Sequence, residues 1–339
     1  MNLSRVNQIA KAVLYEGYML YPYRPSSVKN QQRFNFGVLY PQAYSDAQAG
    51  QEPCSLQTEC LVRDDARGDA HSVLEVRLRF LHLQTRSTRQ PFDEPSAMSQ
   101  SWQEAAEREV IVPTFDLEEL SYQTVKPTFA FPAQVKVDDS PEGQAGASVV
   151  RWQEAIEGTI ELSAKRIRAD AFKITIRVRN TTPLETNGAS QSKRRDQILM
   201  QSLISTHLIL GVQHGEFVSL LEPLTGFEEL AAQCQNTGAW PVLVGEPGQF
   251  DTLLASPIIL YDYPQIAPES SGDLFDGTEI DEILSLRILT LTEEEKREIR
   301  QSDARAREIL ERTETMPPEQ FMKLHGAVRG LRPLEENNQ

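Results

Sequence analysis

Hydrophobic and polar residues alternate along several stretches between about residues 70 and 180. In the clearest one, residues 172–178, every second position is apolar and lysine, threonine or arginine lies between. Residues 74–80 alternate in the same way. Because successive side chains of a strand point to opposite faces, this pattern predicts antiparallel sheets with one face in water. A third run, residues 129–137, places Phe and Val on one face, and Pro132 within it indicates an edge strand or a bulge.

Apolar residues recur at helical spacing in three other places. Residues 6–14 predict a short amphipathic helix. Residues 198–208 carry a wide apolar stripe that also predicts a helix, and residues 280–291 carry a third. The sequence that follows, Thr292-Glu-Glu-Glu295, has the form of a capping box, in which the Thr292 hydroxyl and the Glu295 carboxylate each accept a hydrogen bond from a main-chain amide.

These patterns predict an α+β fold. An N-terminal antiparallel β-sandwich-like domain is followed by a mixed α/β segment and then by C-terminal helices. The predicted boundaries are a basic, tyrosine-rich arm over residues 1–45, a β-rich domain over 46–185, the mixed segment over 186–268 and an acidic helical segment over 269–339.

Charge is distributed unevenly along the chain. The 339 residues include 34 Lys and Arg against 49 Asp and Glu, a formal charge of −15, which excludes a protein that coats nucleic acid over its whole surface. Residues 1–40 nevertheless carry +4, whereas residues 269–311 carry −7. This polarity predicts a basic and an acidic surface, which would bind partners or each other, within one chain or across a homo-oligomer.

Cysteine content and hydropathy indicate the compartment. Three cysteines are too few for a disulfide framework, which favours a reducing environment. No apolar run approaches the roughly 20 residues that a membrane span needs. The first residues also lack the apolar core of a secretory signal. We therefore expect a cytoplasmic protein without membrane insertion.

The densest carboxylate cluster is the candidate metal site. Its members are Asp273, Asp276, Glu279 and Asp281. Closely spaced carboxylate oxygens beside a glycine suit Mg²⁺ or Ca²⁺, although the spacing does not match an EF-hand loop. A bound divalent ion would allow metal-dependent hydrolysis. The alternative is structural, because acids in the first turn of a helix cap it and interact favourably with its dipole.

Other catalytic signatures are missing from the sequence. The five histidines and three cysteines form no His-x-x-x-His or Cys-x-x-Cys pair. Neither a Gly-x-Ser-x-Gly motif nor a phosphate-binding glycine motif occurs. The sequence therefore indicates no cofactor and no catalytic residue, and it favours a non-enzymatic function.

The arm over residues 1–45 contains six of the nine tyrosines. Tyrosines beside Arg24 and Lys29 suit the stacking and phosphate contacts of nucleic-acid binding, which the acidic chain as a whole disfavours. Tyrosine and arginine also dominate protein interfaces. A third possibility is an arm that folds back on the β-rich domain with its tyrosines part buried. The protein interface and the folded-back arm are favoured over nucleic-acid binding.

Two stretches near opposite ends of the chain resemble an uncharacterised bacterial family encoded alongside uptake nickel–iron hydrogenase genes. They are AVLYEGYMLYPYRPSSVKN at 12–30 and SPIILYDYPQIAPESSGDLFDGTEIDEILSLRILTLTEEEK at 256–296. The resemblance extends over most of the chain. It implies cytoplasmic work in the assembly, maturation or support of a hydrogenase, with a hydrogenase subunit or an accessory factor as partner. It supplies no reaction.

The resemblance and the missing catalytic signatures together predict a non-enzymatic accessory protein, a scaffold or chaperone. Its candidate contacts are Tyr15, Tyr18, Tyr21, Tyr23, Arg24 and Lys29 on the basic side, and Asp262, Tyr263 and Glu269 on the acidic side. The alternatives are a divalent-metal-dependent hydrolase that uses the carboxylates of residues 273–281, and a homo-oligomeric structural protein.

Overall fold

Strands rather than helices build most of the described chain. The computed structural model describes residues 3–15, 37–64, 71–89, 101–139, 148–184, 195–265, 289–300 and 304–317. The chain divides into two compact units, Met1–Tyr18 with Gln32–Pro264, and Met19–Gln31 with Gln265–Gln339. The described helices are α1 (Leu3–Tyr15), α2 (Gln42–Ala47), α3 (Leu117–Tyr122), α4 (Arg195–Leu199), α5 (Glu228–Ala232), α6 (Glu293–Arg300) and α7 (Ala304–Thr315).

One antiparallel sheet has five strands. Their spatial order is β10 (Gly215–Val218), β1 (Ser55–Asp64), β8 (Ala171–Asn180), β7 (Ile156–Arg168) and β4 (Thr128–Phe131). The alternating run at residues 172–178 lies in β8. Its apolar side chains, from Phe172 to Val178, are almost completely buried. The strand predicted from this alternation is therefore confirmed.

The second antiparallel sheet has seven strands. They are β2 (Val73–Arg89), β3 (Ser101–Asp116), β5 (Gln134–Asp139), β6 (Ser148–Gln153), β9 (Ile204–Gln213), β11 (Trp240–Leu243) and β12 (Thr252–Ser256). On one side β2 pairs with β3 along nearly its whole length. On the other side its first half pairs with β9 and its second half with β6. From β9 the sheet continues through β12 to β11, and from β6 it continues to β5.

An extensive apolar core lies between the two sheets. The seven-stranded sheet contributes residues such as Phe80 of β2 and Leu210 of β9. The five-stranded sheet contributes residues such as Cys60 of β1 and Ile176 of β8. Removal of this apolar surface from water is the main driving force that holds the sheets together. Two antiparallel sheets around one core agree with the β-sandwich part of the prediction.

The predicted α+β class is wrong, because the chain after residue 186 continues the same sheets through β9 to β12. The apolar stripe at 198–208 is not one helix: α4 ends at Leu199 and β9 begins at Ile204. Eight residues of β9 in a row after Ile204 are buried, since the core covers it and α1 packs against it as well. A strand buried on both faces has a continuous apolar sequence that periodicity does not distinguish from a buried helix. The helices α6 and α7 lie in the C-terminal part, but the described fold is β-rich.

The run at residues 129–137 is divided at Pro132 between the two sheets. Phe129 and Phe131 of β4 pack on Phe80, with ring centroids 5.9 and 5.7 Å apart. Val135 of β5, by contrast, is 62% exposed. The prediction of one face for the whole run is wrong. Proline lacks the N–H that a continuing strand would need, so the chain leaves one sheet and enters the other.

A β-bulge lies where β9 passes β2. Arg79 is opposite His207, but Leu81 is opposite Ile204, so β9 holds one extra residue. Within the bulge Ser205 has a φ of +50°, a left-handed conformation that costs a non-glycine residue about 1 kcal/mol. The completely buried His207 ring contacts the bulge, with Nδ1 2.9 Å from the Ser205 carbonyl oxygen.

The predicted capping box of α6 is confirmed. The Thr292 amide donates to Glu295 Oε2 at 2.7 Å, and the Glu295 amide donates to Thr292 Oγ1 at 3.2 Å. Ile299 of α6 and Leu310 of α7 are completely buried, and Glu314 of α7 binds Lys296 at 3.3 Å and Arg300 at 2.7 Å on α6.

Candidate protein-binding surface

The predicted contact residues are divided between described and undescribed parts of the chain. Tyr15 is the last residue of α1. Asp262 and Tyr263 lie in a segment after β12, residues 257–265, which we call the strap. The predicted residues outside the described ranges are Tyr18, Tyr21, Tyr23, Arg24, Lys29 and Glu269, together with the candidate metal ligands Asp273, Asp276, Glu279 and Asp281.

Asp262 holds the strap to the five- and seven-stranded sheets. Its Oδ1 accepts a hydrogen bond from the Leu243 amide of β11 at 2.7 Å, and its Oδ2 accepts one from the Ser219 hydroxyl after β10. Ser219 Oγ in turn accepts from the amides of Leu221 and Glu222, at 3.1 and 2.8 Å. Hydrogen bonds to an ionised carboxylate are among the strong ones in proteins. Both carboxylate oxygens of Asp262 are thus used inside the chain.

Tyr263 is the second anchor of the strap. Its amide donates to the Leu243 carbonyl at 2.7 Å, and its ring packs against the core. The hydroxyl donates to the Gln249 carbonyl at 3.3 Å and accepts from the Gly248 amide at 3.4 Å. Burial raises the pKa of the Tyr263 hydroxyl. The backbone φ of +55° is unusual for a tyrosine, and these contacts hold the residue in that conformation.

The start of the strap is fixed against the chain near Gly37. Gly37 has a φ of +60°, and a Cβ at this position would lie 2.6 Å from Pro257. Ser256 Oγ donates to the Ile258 carbonyl at 2.8 Å. Residues 258–261, which follow, form no strand.

Between these fixed ends the strap exposes large apolar side chains. Tyr261 is 86% exposed and Ile259 is 73% exposed. Ser219, which binds Asp262 of the strap, begins a turn that also exposes apolar side chains. In this turn Leu221 is 50% exposed and Leu224 is 41% exposed. We call these four residues the strap surface. Asp262 and Tyr263, which the sequence suggested as contacts, are the anchors, and the exposed Ile259 and Tyr261 were not predicted. Which side chains are anchored depends on partners in β11 and after β10, which the local sequence does not contain.

A buried ion pair lies on β1 beside the segment that follows α5. Glu59 is only 7% exposed and accepts hydrogen bonds from Lys173 Nζ at 3.0 Å, Thr175 Oγ1 at 3.0 Å and the Gln235 amide at 2.9 Å. Burial alone would raise the pKa of Glu59, but these hydrogen bonds outweigh it and the pKa is lowered. A carboxylate that is held ionised by three internal donors is a structural anchor rather than a general acid.

A second polar network connects β2, β3 and β6. The hydrogen bonds run from Arg151 Nε to Glu104 Oε1, from Gln84 Nε2 to the same oxygen, and from Arg108 to Gln153 Oε1, each at 2.6 Å. Arg108 also lies over the Phe131 ring, 5.0 Å from its centroid. The network pairs Arg151 and Arg108 with acceptors on neighbouring strands.

His82 is completely buried beside this network. Within the described ranges its ring nitrogens have no hydrogen-bond partner of good geometry, although the main chains of Glu154 and Met200 face the ring. Burial, assisted by the charge of Arg108, lowers the pKa of His82 to about 4. His82 is therefore neutral at physiological pH.

The two cysteines with shifted pKa values are not activated nucleophiles. Cys60 is buried in the core, and burial raises the pKa of its thiol. Burial also raises the pKa of Cys234 to about 11. A reactive thiol needs the opposite shift, because the thiolate is the nucleophile.

Metal binding by described residues has no geometric basis. Within the described ranges, no three or more His, Cys, Asp or Glu side chains come together in a way that suits an ion. The carboxylates at residues 273–281 lie outside those ranges, so that metal site stays a prediction. None of the described helices combines the length and the apolar character needed to cross a membrane.

Comparison of the chain with family models, curated proteins and solved structures finds no match. The resemblance to the hydrogenase-associated family therefore rests on the two sequence stretches alone. One of them, residues 256–296, begins with the strap.

Proposed function

We propose that this protein is a non-enzymatic cytoplasmic scaffold or chaperone that supports the assembly or maturation of a nickel–iron hydrogenase, and that the strap surface is its contact with a hydrogenase subunit or accessory factor. The observation that carries the proposal is the exposure of Ile259 and Tyr261 on a backbone that is anchored at both ends.

The anchoring matters because it lowers the entropy cost of binding. A flexible segment must be ordered when a partner binds, whereas the strap is held beforehand by Asp262 and Tyr263. Tyrosine is enriched among the residues that dominate interface energies, since it adds a large apolar area and a hydroxyl with little conformational freedom. The sequence resemblance, which covers the strap, supports the hydrogenase assignment.

The test is an affinity pull-down from the native host with quantitative mass spectrometry. Wild type is compared with the double variant Ile259→Ser and Tyr261→Ser, which removes the apolar groups and leaves both anchors in place. We expect wild type to recover a hydrogenase subunit or accessory factor, and the double variant to lose most of that recovery.

The matched control is Tyr122→Ser. Tyr122 is 83% exposed on α3, and its hydroxyl donates to Glu118 of the same helix, at 3.0 Å. The control is expected to recover the partner as wild type does. Absence of every hydrogenase component from the wild-type sample would refute the hydrogenase assignment. Equal recovery by wild type and the double variant would refute the role of the strap.

A further inference from the structure

The strand β5 presents an open edge of the seven-stranded sheet. Among the described residues, β5 pairs with β6 on one side and has no strand on the other. Its residues 134–137 are all exposed, with Val135 at 62% and Val137 at 63%. Trp152, opposite Val135 on β6, is 42% exposed. Open main-chain hydrogen-bonding groups next to exposed valines are a template for another strand.

The β3 edge of the same sheet lacks these properties. Pro113 of β3 has no N–H to donate, and proline is a common protection of sheet edges. Glu109 places an acid on that strand, where it binds Arg79 at 2.7 Å. The apolar Ile111, which is 63% exposed, is therefore as accessible as Val137 but stands on a protected edge.

The charged residues of β5 indicate which strand can pair with its open edge. Lys136 and Asp138 share one face of the strand, with Lys136 Nζ 3.3 Å from Asp138 Oδ1. If a second β5 pairs antiparallel with Val137 opposite Val137 of the other copy, Lys136 of each copy lies opposite Asp138 of the other. Shifting this register by two residues in either direction places Lys136 opposite Lys136, or Asp138 opposite Asp138, and like charges directly opposite each other are unfavourable.

We propose that two copies of this chain associate through β5, in an antiparallel pair whose two-fold axis passes beside Val137. A two-fold interface requires a self-complementary surface, and the Lys136–Asp138 pattern on either side of Val137 has that property. Val135 of each copy then lies diagonal to Val137 of the other and opposite its Asp139. The four valines thus form one apolar stripe bounded by the two Asp139 positions, on the opposite face of the strand from Lys136 and Asp138. The two sheets become one continuous sheet.

One short strand from each copy makes a small interface. Stable interfaces bury about 1,200 Å² or more, so we expect a reversible dimer with a dissociation constant in the micromolar range. Analytical ultracentrifugation over a concentration series up to about 200 µM covers that range. A wild-type chain that remains monomeric throughout the series would overturn the proposal.

Two lysine substitutions at equally exposed valine and isoleucine positions locate the interface. Val137→Lys places two like charges at the two-fold axis and is expected to weaken association at least about tenfold. Ile111→Lys, on the protected β3 edge, is expected to leave association unchanged. A dimer that survives Val137→Lys, or that Ile111→Lys disrupts equally, would show that β5 does not form the contact.

Cysteine cross-linking tests the register. In the proposed pair the two Val137 positions are directly opposite, within disulfide distance, whereas the two Val135 positions are four residues out of register. Under mild oxidation Val137→Cys should therefore form a cross-linked dimer, beyond the background of the native cysteines, and Val135→Cys should not. Efficient cross-linking by Val135→Cys alone would overturn the register. The strap is unchanged in all these variants, so the result is independent of the proposed hydrogenase contact.

Discussion

Acidification should destabilise the sheets through two buried histidines. His82 and His207 are completely buried and neutral, and burial is the main reason that the pKa of each is lowered to about 4. In the unfolded chain a histidine titrates near pH 6.5. Between pH 6.5 and pH 4 the unfolded state therefore binds more protons than the folded state, and the free energy of unfolding must decrease as the pH falls through this window.

The size of the effect follows from the two pKa values. With 6.5 in the unfolded state and about 4 in the folded state, each histidine lowers the free energy of unfolding by about 2 kcal/mol between about pH 7.5 and pH 5. Both together account for about 4 kcal/mol, a large part of the stability of an ordinary domain.

Urea unfolding followed by tryptophan fluorescence measures this difference. The three tryptophans at positions 102, 152 and 240 all lie in the unit that contains the sheets. Each variant is compared with itself at the two pH values, so the cost of the substitution at neutral pH cancels. His82→Gln and His207→Gln should each remove about 2 kcal/mol of the wild-type change.

His71→Gln is the control, because His71 is exposed, and it should retain the full wild-type change. The reasoning is refuted if both buried-histidine variants lose as much stability on acidification as wild type does. It is equally refuted if the wild-type free energy of unfolding is the same at both pH values.

Three further substitutions test other contacts. Glu59→Ala leaves the ammonium of Lys173 without its internal carboxylate and should cost about 3 kcal/mol in urea unfolding, whereas a loss below about 1 kcal/mol would contradict a buried ion pair. Thr292→Ala removes one half of the capping box and should cost about 1 kcal/mol, seen as faster hydrogen exchange of the first amides of α6 and not elsewhere. Gly37→Ala adds a Cβ that clashes with the strap at a residue with left-handed φ, and it should lower the free energy of unfolding more than Gly50→Ala does. Gly50 also has a positive φ, of +75°, but no atom lies within 4 Å of the added Cβ. Equal losses of stability would show that the contact with the strap contributes nothing.

The alternation of apolar and polar residues predicted the strands that have one solvent-exposed face. It did not predict strands that are buried on both faces. The alternation of β8 follows directly from a buried and an exposed face. In β9 both faces are covered, by the core and by α1, and its apolar sequence resembled a buried helix. The cover on β9 is supplied by residues nearly 200 positions earlier in the chain, which no local pattern contains.

The candidate surface was only partly accessible to sequence reasoning. The segment after residue 256 was selected for its tyrosines and its resemblance, and it does contain large exposed side chains. Which of these side chains remain exposed depends in part on Ser219, 43 residues before Asp262. The Ser219 hydroxyl donates a hydrogen bond to the Asp262 carboxylate. A hydrogen bond between residues so far apart in sequence depends on the sheet topology. In this topology Asp262 forms hydrogen bonds within the chain, whereas the Tyr261 side chain is exposed to solvent.

The position of β2 between β9 and β6 has a consequence for synthesis of the chain on the ribosome. Leu81 of β2 pairs with Ile204 of β9, which is synthesised about 120 residues later. At ordinary translation rates of 5–20 residues per second, this pairing is delayed by about 6 to 24 s. Its pairing with β3 and β6 needs much less of the chain, so a hairpin can form while the other edge of β2 is still open. During this interval the nascent chain displays the valine and leucine face of β2, and the cell must keep it from aggregating until β9 emerges.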